Sequence, residues 1–307
     1  MHTSKKRLLA DASLLGVAIS WGYTFILAKD LLEEMTPLFF TGSRFLLAGL
    51  ILAIWQWKRI KELTWFYWKA GIVSGLLLCM AFTAQIFGIE LTTPGKAGMI
   101  TGTSVVMVPF FYFLWSRTPI QKGPILGSIC AFIGLALFSW DGSLQGMNTG
   151  DLLVLSCALC FAIHTVYVDR TYEKEEPVNV VLFSMVQLTV VGLIDLVLAA
   201  FLEPAPTQLS PYGWYAYLFE LLIGTLLAYV IQLRAQYVTQ PIRVSMILSL
   251  ESVFAFLFSW LLWGETITYS VLIGAVLVLA GIYITELFNK AEPHRLDDPR
   301  GDGVKTA

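Results

Sequence analysis

Long uninterrupted apolar runs dominate the chain, separated by short polar connections, with no sustained alternation of apolar and polar residues. A helix needs about 20 apolar residues to cross a bilayer, with a range of about 17 to 25. On that rule the pattern predicts ten spans, at 12–28, 38–57, 70–89, 97–115, 124–140, 152–168, 178–202, 214–233, 244–263 and 269–285. The breakers sit between them: Thr36-Pro37, Thr93-Pro94-Gly95, Asp141-Gly142, Glu176-Pro177, Pro204-Ala205-Pro206 and Gln240-Pro241. Lipid offers no partners for backbone N–H and C=O groups, so helices are the expected solution, and the missing alternation argues against a barrel. Lys5, Lys6 and Arg7 before the first run give it the look of a secretory signal. The run continues through Trp21-Gly22-Tyr23 without a cleavage site, so a retained helix is expected.

Positive charge sets the direction. With a cytoplasmic N-terminus, Lys58, Arg59, Lys61, Lys69, Arg117, Lys122, Arg170, Lys174, Arg234 and Arg243 all fall inside, and only Lys29 and Lys96 fall outside. An even number of spans returns the C-terminus to the cytoplasm. The expected location is the plasma membrane.

The chain also repeats itself. A shift of 147 residues carries Gln85 to Gln232, Pro94 to Pro241, Lys96 to Arg243, Met99-Ile100 to Met246-Ile247, and Gly127 and Gly134 to Gly274 and Gly281. Upstream the shift is 140 residues, carrying Asp11 to Asp151, Ala18 to Ala158 and Pro37 to Pro177. The expected organisation is a cytoplasmic N-terminus (1–10), a first five-helix repeat (11–140), a second (151–287), and a polar, disordered cytoplasmic tail (288–307). An odd number of helices per repeat inverts the second copy, which gives a pseudo-two-fold axis in the membrane plane and a route to alternating access. Gly98 and Gly102, with Ser245 and Ser249 at the equivalent positions, read as small residues for close helix packing.

Composition agrees: 57% of residues are apolar and 14% charged, and the mean hydropathy is +0.71. A soluble domain carries about 25% charged residues. The net charge of −2 gives no reason to expect nucleic acid. Cys79, Cys130, Cys157 and Cys160 lie inside apolar runs, so the Cys157-x-x-Cys160 spacing reads as packing rather than a metal or redox site.

With these residues in view, the sequence resembles the EamA-type transporters of the drug/metabolite transporter superfamily. The resemblance rests on Ser20-Trp21-Gly22, Pro37 with Arg44-Phe45, Gly224-Thr225 with Ala228-Tyr229, Leu250-Glu251-Ser252-Val253-Phe254-Ala255, Trp263-Gly264-Glu265-Thr266 and Ile273-Gly274-Ala275 through Ala280-Gly281. Ser252 stands where the family often has proline. The resemblance covers nearly all of 11–287 and implies a ten-helix carrier, often an exporter of amino acids or related metabolites, with a central cavity between its halves.

Five ionisable residues fall within spans: Arg44, His164, Asp195, Glu220 and Glu251. Such residues are expensive in lipid and face a bundle interior or water. Arg44, Glu220 and Asp195 fall at similar depth, roughly 10 Å from the outer ends of their spans. Arg44 is expected to pair with Glu220 or Asp195, closing an outer gate or holding a substrate carboxylate; the alternatives are a structural ion pair or an arginine reaching along its stem to the interface. Glu251 and His164 share a depth on the cytoplasmic half, suited to passing a proton or binding an amino group. The neutral candidates for the translocation site are Trp21, Thr24, Gln85, Thr101, Ser104, Tyr167, Tyr229 and Gln232.

The leading expectation is a secondary carrier, with a small-molecule substrate and the bilayer as partners, proton coupling, and a monomer or homodimer as the unit. A membrane-embedded enzyme acting on a lipid or prenyl substrate is the alternative, but the chain lacks the clustered Asp or His residues such chemistry uses. A channel or receptor finds no ring-forming motif or ligand domain. No G-x-x-x-x-G-K loop is present, which disfavours an ATP-driven pump. No cofactor is expected.

Overall fold

The computed structural model describes residues 2–117, 122–138, 147–174, 178–204, 208–238, 244 and 247–287. Among these, every regular element is helical: α1 (His2–Leu31), α2 (Pro37–Trp55), a 3₁₀ turn (Trp57–Glu62), α3 (Trp65–Leu91), α4 (Pro94–Gly102), α5 (Ser104–Ser116) and α6 (Lys122–Phe138). The chain continues through α7 (Thr149–Lys174), α8 (Val180–Leu202), α9 (Pro211–Phe219), a π turn (Glu220–Leu227) and α10 (Ala228–Val238), and ends in α11 (Leu250–Leu262) and α12 (Tyr269–Leu287). Seven segments are long and apolar enough to cross a membrane: Asp11–Leu31, Pro37–Trp55, Trp65–Leu91, Pro94–Trp115, Thr149–Tyr172, Val180–Leu202 and Pro211–Ala235. Lys122–Gly134, Leu250–Leu262 and Tyr269–Thr285 are apolar but shorter. The expected tail 288–307, the breakers Asp141-Gly142, Glu176-Pro177, Ala205-Pro206 and Gln240-Pro241, and Arg243 and Met246 of the repeat lie outside the described residues, as do the side chains of Lys5, Lys6 and Arg7.

The proline breakers act as helix starts. Pro37, Pro94 and Pro211 open α2, α4 and α9, where a missing N–H has no intrahelical partner to lose. The residue before two of them supplies a side-chain cap: Thr93 Oγ1 accepts from the Lys96 amide, and Ser210 Oγ from that of Gly213, whereas Thr36 before Pro37 makes no such bond.

Long-range packing pairs α6 with α12, α2 with α8, and α3 with both α7 and α8. It also pairs α1 with α11, α4 with α11, and α5 with α7. Glycine sets the α6–α12 distance. A Cβ on Gly127 would lie 2.4 Å from the Gly281 carbonyl oxygen, and one on Gly281 2.4 Å from that of Gly127. A Cβ on Gly134 would meet the Gly274 carbonyl oxygen at 2.7 Å. On α4, Gly98 receives Ala255 and Gly102 receives Ser252, whose Oγ donates to the Gly98 carbonyl at 3.1 Å. Such contacts replace the hydrophobic driving force that lipid cannot provide between helices. The four cysteines are free, and Cys157 is fully buried, as packing requires.

At one end of the bundle, polar side chains clasp helices distant in sequence. Glu34 accepts from Ser210 N and Oγ (2.7 and 2.6 Å), and Glu203 accepts from the Leu38 and Phe39 amides (2.7 and 2.9 Å). Glu265 accepts from Thr93 Oγ1 (2.6 Å) and the Gly95 amide (3.1 Å). Lys96 pairs with the buried Asp151 at 3.4 Å, and Lys29 Nζ donates to the carbonyls of Ile89, Glu90 and Thr92 at the end of α3. The Ser210 donors hold the Glu34 carboxyl below the usual carboxylate range.

Candidate functional site

A cavity runs through the middle of the bundle, leaving about 120 Å³ free to the centres of water-sized molecules. From the first half of the chain, Trp21 and Thr24 of α1, Arg44 of α2, Gln85 of α3, Thr101 of α4 and Ser104 of α5 line it. From the second, His164 of α7, Glu220 of the π turn, Tyr229 and Gln232 of α10, and Glu251 of α11 line it. Tyr167 is not among the lining residues. Its position on α7 turns the ring toward Trp115, edge-on at 6.5 Å between centroids. Asp195 is also off the cavity, fully buried, accepting from Thr83 Oγ1 (3.0 Å) and Cys79 Sγ (3.4 Å).

Of the two partners the sequence offers Arg44, the structure brings it Glu220. The two side chains are 7% and 1% exposed and ion-paired. The guanidinium carbon also lies 4.6, 5.1 and 5.3 Å from the ring centroids of Phe40, Phe45 and Phe82. This arginine is therefore held in the interior by charge and ring faces, and does not reach back along its stem to an interface. Two atoms of the pair keep unused capacity: Arg44 Nε and Glu220 Oε1 are buried without a hydrogen-bond partner.

The π turn explains how Glu220 and Trp21 meet the same cavity. An i→i+5 pattern widens the helix and is frequent at functional sites. Here the Gly224 carbonyl within it accepts from Trp21 Nε1 at 2.8 Å, so the indole is fixed from α1 while its ring lies 5.9 Å from that of Tyr229. Phe82 and Phe161 complete the aromatic wall, 5.2 Å apart. Gln85 Nε2 donates to Thr101 Oγ1 at 3.2 Å. His164 Nε2 lies 3.3 Å from Gln187 Oε1, which also accepts from Ser74 Oγ at 2.6 Å. Which of the two atoms donates follows from the imidazole tautomer. Glu251 makes no hydrogen bond or ion pair among the described residues, and nothing there joins it to His164.

Two interruptions face one another across this space. Between α4 and α5 the helix breaks at Thr103, and a second break at Ser249 precedes α11. Thr101, Gly102 and Ser104 flank the first, and Leu248, Ser249 and Glu251 the second, all lining the cavity. The two breaks are one residue out of register under the 147-residue repeat, which carries Gly102 to Ser249.

Comparison with known proteins then decides the family. The EamA-like transporter family matches this chain twice, over residues 8–140 and 148–287. The chain belongs to the EamA-like transporter family. An uncharacterized transporter of Archaeoglobus fulgidus is 30% identical to this EamA-like protein over 282 residues, which is 92% of this chain and 87% of that one. The uncharacterized transporter YoaV of Bacillus subtilis is 23% identical over 88% of this chain and 94% of its own length. Protein PecM of Dickeya dadantii is 22% identical over 87% and 88%. A crystal structure at 15% identity shares the fold, with a TM-score of 0.66 over 90% of this chain and 96% of the other. The family and its named relatives support a transporter's role for this multi-pass membrane protein.

Sequence reasoning missed the aromatic wall of Phe82 and Phe161 and the Ser74–Gln187–His164 chain. Phenylalanine is ordinary in an apolar span, so neither ring carries a signal. The π turn left a trace only in Gly224-Thr225, two small residues in an otherwise bulky run.

Proposed function

We propose that this chain is a secondary transporter that moves a small organic metabolite, an amino acid or a related compound, out of the cell by alternating access between two inverted five-helix halves. In this reading ten helices cross the plasma membrane, both termini are cytoplasmic, and the unit is a monomer or homodimer, with transport coupled to protons. The cavity residues Trp21, Thr24, Gln85, Thr101, Ser104, His164, Glu220, Tyr229, Gln232 and Glu251 hold the substrate, and Arg44 serves the gate or braces it.

The observation that carries the reading is the pair of helix breaks within one residue of corresponding positions of the two halves, both opening on one cavity. Discontinuous helices frame the central site in inverted-repeat carriers, because unwound backbone there is tolerated only against a cavity. The packing supports the same symmetry. The Gly127–Gly281 contact maps under the 147-residue shift onto Gly274–Gly134, which is the second close approach of α6 and α12. Likewise Gly49 packs on Thr189, its own equivalent under the 140-residue shift, where a two-fold axis would pass. Repeat-related residues of the two halves thus pack against one another.

The test is untargeted metabolite profiling of cells and medium, comparing overexpressed wild type with Glu251→Gln. A metabolite enriched outside only with the wild type supports export and identifies its class. No enrichment in the medium, and no depletion from it, with either protein at equal membrane abundance would overturn the carrier reading.

A further inference from the structure

We propose that the cavity selects a small organic cation, a protonated amine without a carboxylate of its own, and that Glu251 and Gln232 are the groups that grip it. This deepens the carrier reading and rests on it. The argument is a census of charge and of unused hydrogen-bonding capacity around one space. Four ionisable side chains line the cavity: Arg44, Glu220, Glu251 and His164. Arg44 is already ion-paired with Glu220 and stacked against three phenylalanines. His164 is engaged through Nε2 with Gln187. That leaves Glu251 with no cationic partner among the described residues, so whenever Glu251 is ionised the described walls carry one negative charge more than they balance.

Hydrogen-bonding capacity leans the same way. Gln232 Oε1 and Glu220 Oε1 are acceptors buried without a donor, and both oxygens of Glu251 are unengaged among the described residues. Against these stand Arg44 Nε, on a guanidinium whose charge is matched, and the Gln232 amide nitrogen, which makes no hydrogen bond among the described residues. An ammonium carries three donors and no acceptor, which fits a surplus of acceptors. A carboxylate ligand would bring further acceptors and a negative charge to a space whose one described arginine is already ion-paired. The first turn of α11 gives Glu251 only a partial positive charge from its backbone, not a counterion.

The rings complete the site. Trp21, Tyr229, Phe82 and Phe161 lie around the same space, with Trp21 5.9 Å and Phe82 6.2 Å from Tyr229. Aromatic faces attract a cation and receive the apolar body of an amine. A zwitterionic amino acid would have to displace Glu220 from Arg44 to place its carboxylate, exchanging one buried pair for another. A simple amine needs no such exchange.

Three probes that share one ring and differ in charge separate these cases: phenethylamine, phenylalanine and 3-phenylpropionate, titrated calorimetrically into the purified full-length protein. Phenethylamine is expected to bind at least tenfold more tightly than phenylalanine, and 3-phenylpropionate not to bind. Glu251→Gln should weaken the amine at least tenfold and Gln232→Leu severalfold, each variant being checked for a wild-type melting temperature. Should one variant fail to fold, the order of the three probes on the wild type decides alone. Equal or tighter binding of phenylalanine or the acid, amine binding unchanged in Glu251→Gln, or no binding of the amine to the wild type would overturn the assignment. Failure here is distinct from failure of the carrier reading. A zwitterion or acid exported in the metabolite comparison refutes the amine class alone, whereas no moved solute refutes transport.

Discussion

Arg44→Met is the most informative single change in this protein. It removes the cation from a carboxylate that is 1% exposed and bonded to no other group, while conserving much of the stem that packs beside Phe40, Phe45 and Phe82. Breaking a buried pair from one side costs about 3–5 kcal/mol, because the partner is left charged and alone. At about 1.4 kcal/mol per decade, that is a loss of two to three and a half powers of ten in the folding constant. Replacing both partners by apolar residues, in Arg44→Met/Glu220→Leu, removes the desolvation of two charges as well as their attraction. It is expected to lie near wild type or up to about 4 kcal/mol above it. Three equilibrium unfolding curves in mixed detergent micelles, for the wild type, the single and the double, measure both quantities. The pattern required is a deep loss in the single and its recovery in the double. An Arg44→Met protein within about 1 kcal/mol of wild type would refute the reasoning, since only a solvated pair is that cheap to break. Transport by the stable double then distinguishes a brace, which survives the exchange, from a gate, which does not.

Gly127→Ala and Gly281→Ala should each destabilise by about 1–3 kcal/mol, because the new methyl meets opposing backbone that cannot move aside. Gly16→Ala, with nothing within 4 Å, should be neutral or more stable by up to about 1 kcal/mol through helix propensity, and the same melts check all three. The depressed Glu34 carboxyl stabilises the fold above the unfolded carboxyl pKa, and that contribution is lost as pH falls through its lower folded value. Glu34→Gln should therefore flatten the acid limb of the melting profile, and an unchanged limb would show that the Ser210 clasp is not felt. If Glu251 carries the coupling proton, Glu251→Gln should abolish the pH dependence of transport in proteoliposomes while the protein stays folded. A pH profile like that of wild type rules the coupling out.

What the sequence makes legible follows from how lipid treats the backbone. Seven of the runs read as spans fall on helical segments long and apolar enough to cross a membrane and the other three on shorter apolar helices, the fifth and ninth described only in part, because a spanning segment has few alternatives to a helix. The connecting prolines were readable for the same reason, as starts where an N–H is dispensable. The polar and aromatic residues at mid-span mostly face the cavity, since lipid expels them from the outer surface. Tyr167 is the exception, and its case is instructive. A tyrosine can satisfy its hydroxyl near the interface and pack its ring on Trp115, so depth alone does not decide which face it takes. The choice of Glu220 over Asp195 for Arg44 was open in the sequence because both acids lie at the same depth. It was settled by Cys79 and Thr83, which occupy one Asp195 oxygen, and by the helical register at Glu220, which no apolar pattern encodes.

That register has a consequence for how the chain tolerates insertion and deletion. A π turn is topologically an α-helix holding one residue too many, kept in place by what its bulge contacts. Removing any one residue between Leu221 and Leu227 would restore the ordinary winding and rotate everything on one side of the cut by about 100° relative to the other. Tyr229 and Gln232 would then turn away from the cavity if Glu220 stayed on Arg44, or Glu220 would leave Arg44 if they stayed. The extra residue is thus a phase shift between two halves of a single helix, one half keyed to the ion pair and the other to the aromatic wall. Length in this short stretch is constrained as tightly as the identity of its side chains.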